Sequence, residues 1–297
     1  MPLRHALNWY YERHPVGSFY NNVDKLPTDV LPPPIIVLAV KGGIGKTLTV
    51  SNTALKLAQL TGSKVMVWDV DIENPSIVRY LGMTSERTQI DMETGKLLPV
   101  RFTNNGVSIN IHSMGTFLMD NPRRVAYFDG KAIQEQLIDA LFCVDWGNPD
   151  YLLIDAPPTL SDEFIVIRNV FNSIGGAIVV GTSEQQAVDG CERSINMCIQ
   201  HGIPIIGIVE NKSGAETSCC KARFICEKCG EPQELYDRGG IRDLAERYNK
   251  PFLGTIPFNP IINKNRDNGK HLIYNEYEVF ENVAKAIIGG RHRGGYR

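Results

Sequence analysis

Six short apolar runs, at Ile35–Val40, Lys64–Asp71, Tyr151–Asp155, Gly176–Gly181, Ile203–Val209 and Pro251–Ile256, punctuate the chain. None alternates polar with apolar, which is the pattern of strands buried on both faces of a parallel sheet. Helical spacing fills the intervals. Thr47 opens a helix in which Val50, Ala54, Leu57 and Ala58 form one stripe, and Gly62 stands where a C-cap belongs. Further helices are predicted over 131–143 (Ile133, Leu137, Ile138 and Leu141 on one face), 162–172, 186–201, 240–248 and 276–288. Residues 82–130 are largely irregular, apart from strands at Leu97–Arg101 and Val107–Ile111 joined by an Asn104-Asn105-Gly106 turn. Strands alternating with helices predict an α/β fold: a doubly wound, mostly parallel sheet with helices on both faces. No linker divides residues 35–290, so they read as one domain, preceded by an extension at 1–34 and followed by a tail at 291–297. The extension holds six of the seventeen prolines together with Trp9, Tyr10, Tyr11, Phe19 and Tyr20, and reads as a segment that packs on the domain or on a partner subunit.

Composition narrows the function classes. A hydrophobic content of 43% can fill a substantial core, and a net charge of −2 makes no electrostatic case for nucleic acid. No apolar run approaches the roughly eighteen residues that span a bilayer, and the N-terminus lacks a secretory apolar region, so a cytoplasmic protein is expected. The glutamates Glu276, Glu278 and Glu281 near the arginine-bearing tail oppose docking on an anionic membrane.

The richest chemistry follows the first strand. In Lys41-Gly-Gly-Ile-Gly-Lys-Thr47 the glycines Gly42, Gly43 and Gly45, with Ile44 between them, let the backbone turn its N–H groups towards a polyphosphate. Lys46 can reach the β- and γ-phosphates, the Thr47 hydroxyl can hold Mg2+, and the helix start adds its positive dipole end. The usual phosphate loop has glycine where this chain has Val40, and here a second lysine, Lys41, opens the loop. The second strand ends in Asp69 and Asp71, and the strand at Tyr151 ends in Asp155 before Pro157-Pro158. Acids at carboxyl strand ends fall where doubly wound sheets place their sites. An apolar strand, an Asp and a proline turn form a Walker-B segment that orders Mg2+ or its water.

Four of the seven cysteines lie between 219 and 229, which points to metal rather than disulfides in a reducing compartment. The pair Cys226-x-x-Cys229 supplies two ligands where zinc or a four-iron cluster takes four. A second copy of the chain could complete the set. Alternatively, Cys219 or Cys220 could complete a structural zinc site within one subunit, or the pair could be a redox dithiol. Cys143, Cys191 and Cys198 follow helical apolar patterns and read as core.

Taken together, these residues resemble the deviant-Walker class of P-loop ATPases that includes MinD, ParA, ArsA and the nitrogenase iron protein. Within it the chain is most similar to the Mrp/ApbC iron–sulfur carrier ATPases, the Nbp-type scaffolds. The match is carried by Asp69-Val-Asp-Ile-Glu-Asn-Pro-Ser76, Val144-Asp-Trp-Gly-Asn-Pro-Asp-Tyr-Leu-Leu-Ile-Asp-Ala-Pro-Pro158, Gly207-Ile-Val-Glu-Asn-Lys-Ser213, Cys226-Glu-Lys-Cys-Gly230 and Leu253-Gly-Thr-Ile-Pro-Phe-Asn-Pro260. The resemblance implies ATP and Mg2+ at Lys46 and Thr47, and Lys41 reaching the partner's nucleotide across a homodimer. It implies Asp71 positioning or deprotonating the attacking water, Asp155 in the second switch, and Asn211 with the loop around Pro257 recognising adenine. It further implies a [4Fe-4S] cluster bridged between Cys226 and Cys229 of two subunits and passed to apo iron–sulfur proteins. Thr159-Leu-Ser-Asp162 replaces the family's glycine-rich switch, and Lys212 replaces a methionine, changes that fit slow or partner-tuned hydrolysis. Two other readings share the loop: a MinD- or ParA-like dimerising switch, and a dedicated ATPase that activates one metalloenzyme.

Overall fold

The computed structural model describes residues 28, 31–39, 41–72, 74–118, 130–157, 162–215, 224–225, 228–230, 232–233, 238–259 and 277–292. The first half of the chain forms β1 (Ile35–Leu38), α1 (Lys46–Thr61), β2 (Val65–Asp69), α2 (Ile77–Tyr80), β3 (Gln89–Ile90), β4 (Leu97–Leu98), β5 (Val100–Asn104), β6 (Val107–Ser113), α3 (Gly115–Leu118) and α4 (Gly130–Cys143). The second half forms β7 (Tyr151–Asp155), α5 (Asp162–Val170), β8 (Gly176–Gly181), α6 (Gln185–Gln200), β9 (Ile205–Ala215), β10 (Phe224–Ile225), β11 (Pro232–Gln233), α7 (Gly240–Arg247), β12 (Phe252–Phe258) and α8 (Glu278–His292).

Among the described residues, eight strands make one sheet in the order β12-β9-β8-β1-β7-β2-β6-β5, parallel except for the β5–β6 edge pair. Helices cover both faces, as the unbroken apolar runs require. Val37, Val67, Leu153 and Ile178 point to the face packed by Val50, Ala54 and Leu57 of α1 and by Phe280, Val283 and Ile287 of α8. Their neighbours Ile36, Met66, Leu152 and Ile154 point to the opposite face, against Leu137 and Leu141 of α4 and Phe164 and Ile167 of α5. A third cluster joins Val179 and Ile208 to Val188, Cys191 and Ile195 of α6 and to Ile241 and Leu244 of α7. β1 lies centrally, with β7 on one side and β8 on the other, so chain progression reverses beside it. Open α/β sheets bind ligands at the carboxyl ends of the strands around such a reversal.

Local signals largely translate into geometry. Gly62 adopts φ 66° and donates to the Ala58 carbonyl at 2.9 Å, the expected C-cap. Asn105 and Gly106 both take positive φ (49° and 78°), giving the twisted two-residue turn that closes the β5–β6 hairpin. Several boundaries differ: the strand expected at Leu97–Arg101 is divided into β4, which pairs with β3, and β5, which runs on to Asn104 and pairs with β6. β1 ends at Leu38, and Val40 lies outside the described residues. β9 continues past Val209 to Ala215 because β12 pairs with it there, Ile256 opposite Asn211 and Phe258 opposite Ala215. α8 runs through Gly289 and Gly290 to His292 instead of stopping at Ile288. Arg291 anchors that end by donating to the Asp150 carbonyl at 2.9 Å and lying 4.7 Å from the centre of the Tyr151 ring. The extension at 1–34, apart from Thr28 and residues 31–34, lies outside the described residues, as does the tail beyond 292.

Candidate nucleotide and metal site

The loop between β1 and α1 has the backbone that its glycines permit. Gly43 takes φ 74° and Gly45 φ 104°, both in the left-handed region, and a Cβ on Gly42 or Gly43 would meet nothing within 4 Å. Gly45 is the N-cap of α1, offers no side-chain hydrogen bond to it, and the first turn carries no acid. The positive end of the helix is thus left to an external anion. Lys46 and Thr47, the first residues of α1, are buried. Burial pulls the Lys46 ammonium below its ordinary value, and the opposing attraction of Asp155, Asp71 and Asp69 does not restore it.

Those acids converge because β2 and β7 are parallel neighbours in register, which sets Asp69 opposite Asp155 at the ends of both strands. Each is 2% exposed. Burial raises the Asp155 carboxyl to about 6, with Thr47 and Lys46 opposing the rise. Asp69 is pushed well above the carboxylate range by burial, Asp155 and Asp71. Their surroundings separate their tasks. Asp69 Oδ2 accepts from the Ser113 hydroxyl at 2.9 Å and from the Ser76 and Ile77 amides at 3.2 and 3.4 Å, while Oδ1 accepts from the Asp71 amide at 3.2 Å. It therefore pins the 70–77 loop and the start of α2. Asp155 Oδ2 accepts from Thr47 Oγ1 at 2.7 Å, and Oδ1 is buried without a hydrogen bond.

An orphaned carboxylate oxygen beside a threonine hydroxyl fits a hard cation. Among the described residues no three His, Cys, Asp or Glu side chains gather into a protein-only cation cage. A sparse donor set suits Mg2+, which keeps waters and takes phosphate oxygens as its other ligands.

The other predicted residues distribute around this centre. Asp71 is half-buried in the loop after β2, and its Oδ1 accepts from the Asn74 amide at 2.9 Å. Asn211 projects from β9 onto the phosphate loop, where its Nδ2 donates to the Ile44 carbonyl. Pro257 is half-buried on the adjacent β12, next to Ile256, which pairs with Asn211. Lys41 stands apart on the surface, its Nζ 3.3 Å from Glu184 Oε2, with both side chains more than half exposed. Cys229 is exposed in the turn between β10 and β11, whereas Cys226, Cys219, Cys220 and the switch at Pro158–Ser161 lie outside the described residues. The three helical cysteines are buried as expected, and burial pushes both Cys191 and Cys198 up to about 12, away from thiolate chemistry.

Two residues of the site carry more than the sequence reading assigned. Ser76 Oγ lies 2.8 Å from Thr47 Oγ1 and so joins the Thr47–Asp155 corner from the far side of the Asp69 loop. Glu210, wholly buried beside Asn211, caps α7. A serine seven positions after a buried acid and a glutamate ending an apolar strand were the available signals.

A central β1, a double-glycine phosphate loop with two lysines, and acids ending β2 and β7 define a P-loop NTPase of the ParA/MinD kind. A family model described as ParA, NUBPL iron-transfer P-loop NTPase, matches residues 33–288, and the chain belongs to that family. It is 34% identical to the cytosolic Fe-S cluster assembly factor CFD1 of Kluyveromyces lactis over 273 residues, 88% of this chain and 92% of that protein. It is 35% identical to the iron-sulfur cluster carrier protein of Methanocaldococcus jannaschii over 260 residues, 86% of this chain and 83% of that one. Its fold superimposes on the nucleotide-binding protein of Archaeoglobus fulgidus, solved in complex with ADP, with a TM-score of 0.65 and 28% identity, covering 88% of this chain and 95% of that one.

Proposed function

We propose that this chain is an ATP-hydrolysing iron–sulfur carrier that accepts a [4Fe-4S] cluster and delivers it to apoproteins. The observation that carries the reading is the conjunction, in one chain, of the Lys46–Thr47–Asp155 corner with an exposed Cys229 on the segment returning to α7. The names of its relatives, an assembly factor and a cluster carrier, support the same conclusion. Cys229 and Cys226 of two subunits supply the four thiolates that the cargo takes. Relatives named as cytosolic factors favour the cytoplasm, and no helix among the described residues is long and apolar enough to cross a membrane.

In this account the phosphate-loop amides and Lys46 bind the triphosphate of ATP. Thr47 and Asp155 hold Mg2+, which supplies charge neutralisation at the β- and γ-phosphates. Asp71, on a loop fixed by Asp69, orients the attacking water. Asn211 and Pro257 border the adenine. Lys41 is exposed at the mouth of the loop, where a second subunit can use it. The test is transfer: cluster-loaded protein is mixed with the apo form of a four-iron enzyme, and the recipient's activity is followed. Wild type restores activity, and the rate responds to ATP. A recipient that recovers no faster than with free iron and sulfide would refute the carrier role.

A further inference from the structure

Glu210 and Asn211 are consecutive on β9, so their side chains leave the sheet on opposite faces. On one face Asn211 grips the phosphate loop. Its amide donates to the Ile44 carbonyl and fits so closely against Gly45 that a Cβ there would stand 2.2 Å from Nδ2. On the other face the fully buried Glu210 takes hold of α7. Both its carboxylate oxygens accept from the Gly239 amide at 3.1 Å, and Oε2 also accepts from the Ile241 amide at 3.1 Å. A carboxylate on a helix N-terminus meets the positive dipole end, and charge-assisted bonds of this kind are about twice as strong as neutral ones.

The helix so held is the return of the cysteine segment. That segment leaves β9 beyond Lys212 (φ 54°) and Gly214 (φ 67°) and re-enters the described fold at Arg238 and Gly239. The two ends touch: a Cβ on Gly214 would lie 2.5 Å from the Arg238 guanidinium. One dipeptide therefore holds the phosphate loop with one side chain and the root of the Cys229-bearing segment with the other. The pairing of β9 with β12 changes register on both sides of the dipeptide, between Phe252 and Gly254 and between Ile256 and Phe258, so the ladder is interrupted beside it.

We propose that Glu210 is a positioning residue that couples nucleotide occupancy at the phosphate loop to the setting of the segment carrying Cys229. An adenine nucleotide that draws on Asn211 displaces its bond to Ile44, the end of β9 shifts, and α7 follows through Glu210. The inference rests on the nucleotide role proposed above. It does not need a cluster to be present.

The test uses the full chain, reduced and metal-free, and follows alkylation of Cys229 by iodoacetamide through mass spectrometry of its peptide, with and without saturating Mg-ATP. Wild type should show a rate ratio of about five-fold or more, corresponding to ordinary allosteric coupling. In Glu210→Ala the ratio should collapse towards one while ATP affinity stays within about two-fold of wild type. Glu210→Gln keeps the shape and one acceptor, so it carries the test if the alanine variant fails to fold, and its ratio should fall below half that of wild type. A wild-type ratio of one overturns the proposal. So does a variant that keeps the wild-type ratio, or one that loses ATP affinity along with it, because Glu210 would then be a structural support only. Failure to load a cluster would count against the carrier reading and leave this ratio untouched.

Discussion

Thr47 Oγ1 donates a 2.7 Å hydrogen bond to Asp155 Oδ2, tying the first turn of α1 to the last residue of β7. The bond joins two motifs separated by 108 positions in sequence, and in the proposed nucleotide site its oxygens are the donors that a phosphate-bound cation would use. Substituting Thr47→Ala removes the hydroxyl from both Asp155 and Ser76. ATP hydrolysis should fall by about 100-fold or more, an electrostatic loss of the size seen when one organising donor is removed. Steady-state phosphate release at several Mg2+ concentrations reads this directly, and the residual rate should no longer saturate with Mg2+ as wild type does.

Buried acids at the same corner make stability depend on pH. The Asp155 carboxyl sits at about 6 in the folded chain, against an ordinary 3.8. The folded state therefore holds this proton more tightly than the unfolded state, and its advantage is complete only below about pH 4. As pH rises from about 4 to about 6, stability falls by on the order of 3 kcal/mol through this group alone. Asp155→Asn removes this group's share of the dependence and leaves that of Asp69, which burial also raises. The melting temperature of the variant minus that of wild type, measured without metal or nucleotide, should grow across that window, and Mg-ATP should stabilise wild type far more than the variant.

Gly45 is irreplaceable for two physical reasons. Its φ of 104° disfavours any L side chain, and a Cβ would collide with Asn211. Gly45→Ala should strain the loop by about 1–3 kcal/mol and displace Asn211 from Ile44. Nucleotide affinity measured by calorimetry should drop by at least about ten-fold, which corresponds to 1.4 kcal/mol. Asn211→Ala should weaken binding as well, but without the backbone strain.

Lys41 separates stability from activity. Its contact with Glu184 is an exposed ion pair, so Lys41→Ala should change stability by no more than about 0.5 kcal/mol in denaturant unfolding. If Lys41 serves a partner's nucleotide, the same variant should lose hydrolysis, and mixing it with a hydrolysis-deficient Lys46→Ala chain should recover part of the rate through mixed dimers. Glu184→Ala should retain activity.

Much of this was legible in the chain because each signal was short-range and redundant. Apolar runs ending in acids, a glycine loop, an Asn-Gly turn and a helix-ending Gly62 each carry their own geometry. What the sequence could not display were contacts between distant segments. Ser76 meets Thr47 only once Asp69 has folded the intervening loop, and the division of work between Asp69 and Asp155 depends on which carboxylate finds amide donors. The continuation of β9 through Glu210 and Asn211 depends on β12, some forty residues further on, pairing along it. Glycines 289 and 290 suggested a tail, yet the anchoring of Arg291 to Asp150 and Tyr151 keeps that stretch helical.

The proposed carrier role requires the Cys226–Cys229 pair to hold an iron–sulfur cluster between two subunits. Anaerobic reconstitution with iron and sulfide, read as visible absorption and as iron per chain after gel filtration, tests it most directly. Wild type should elute as a coloured dimer with about two irons per chain, one four-iron cluster shared by two subunits. The Cys226→Ala/Cys229→Ala variant should stay colourless, while a Cys191→Ser/Cys198→Ser variant should load normally. A colourless wild type, or equal colour in the Cys226→Ala/Cys229→Ala variant, would contradict the account.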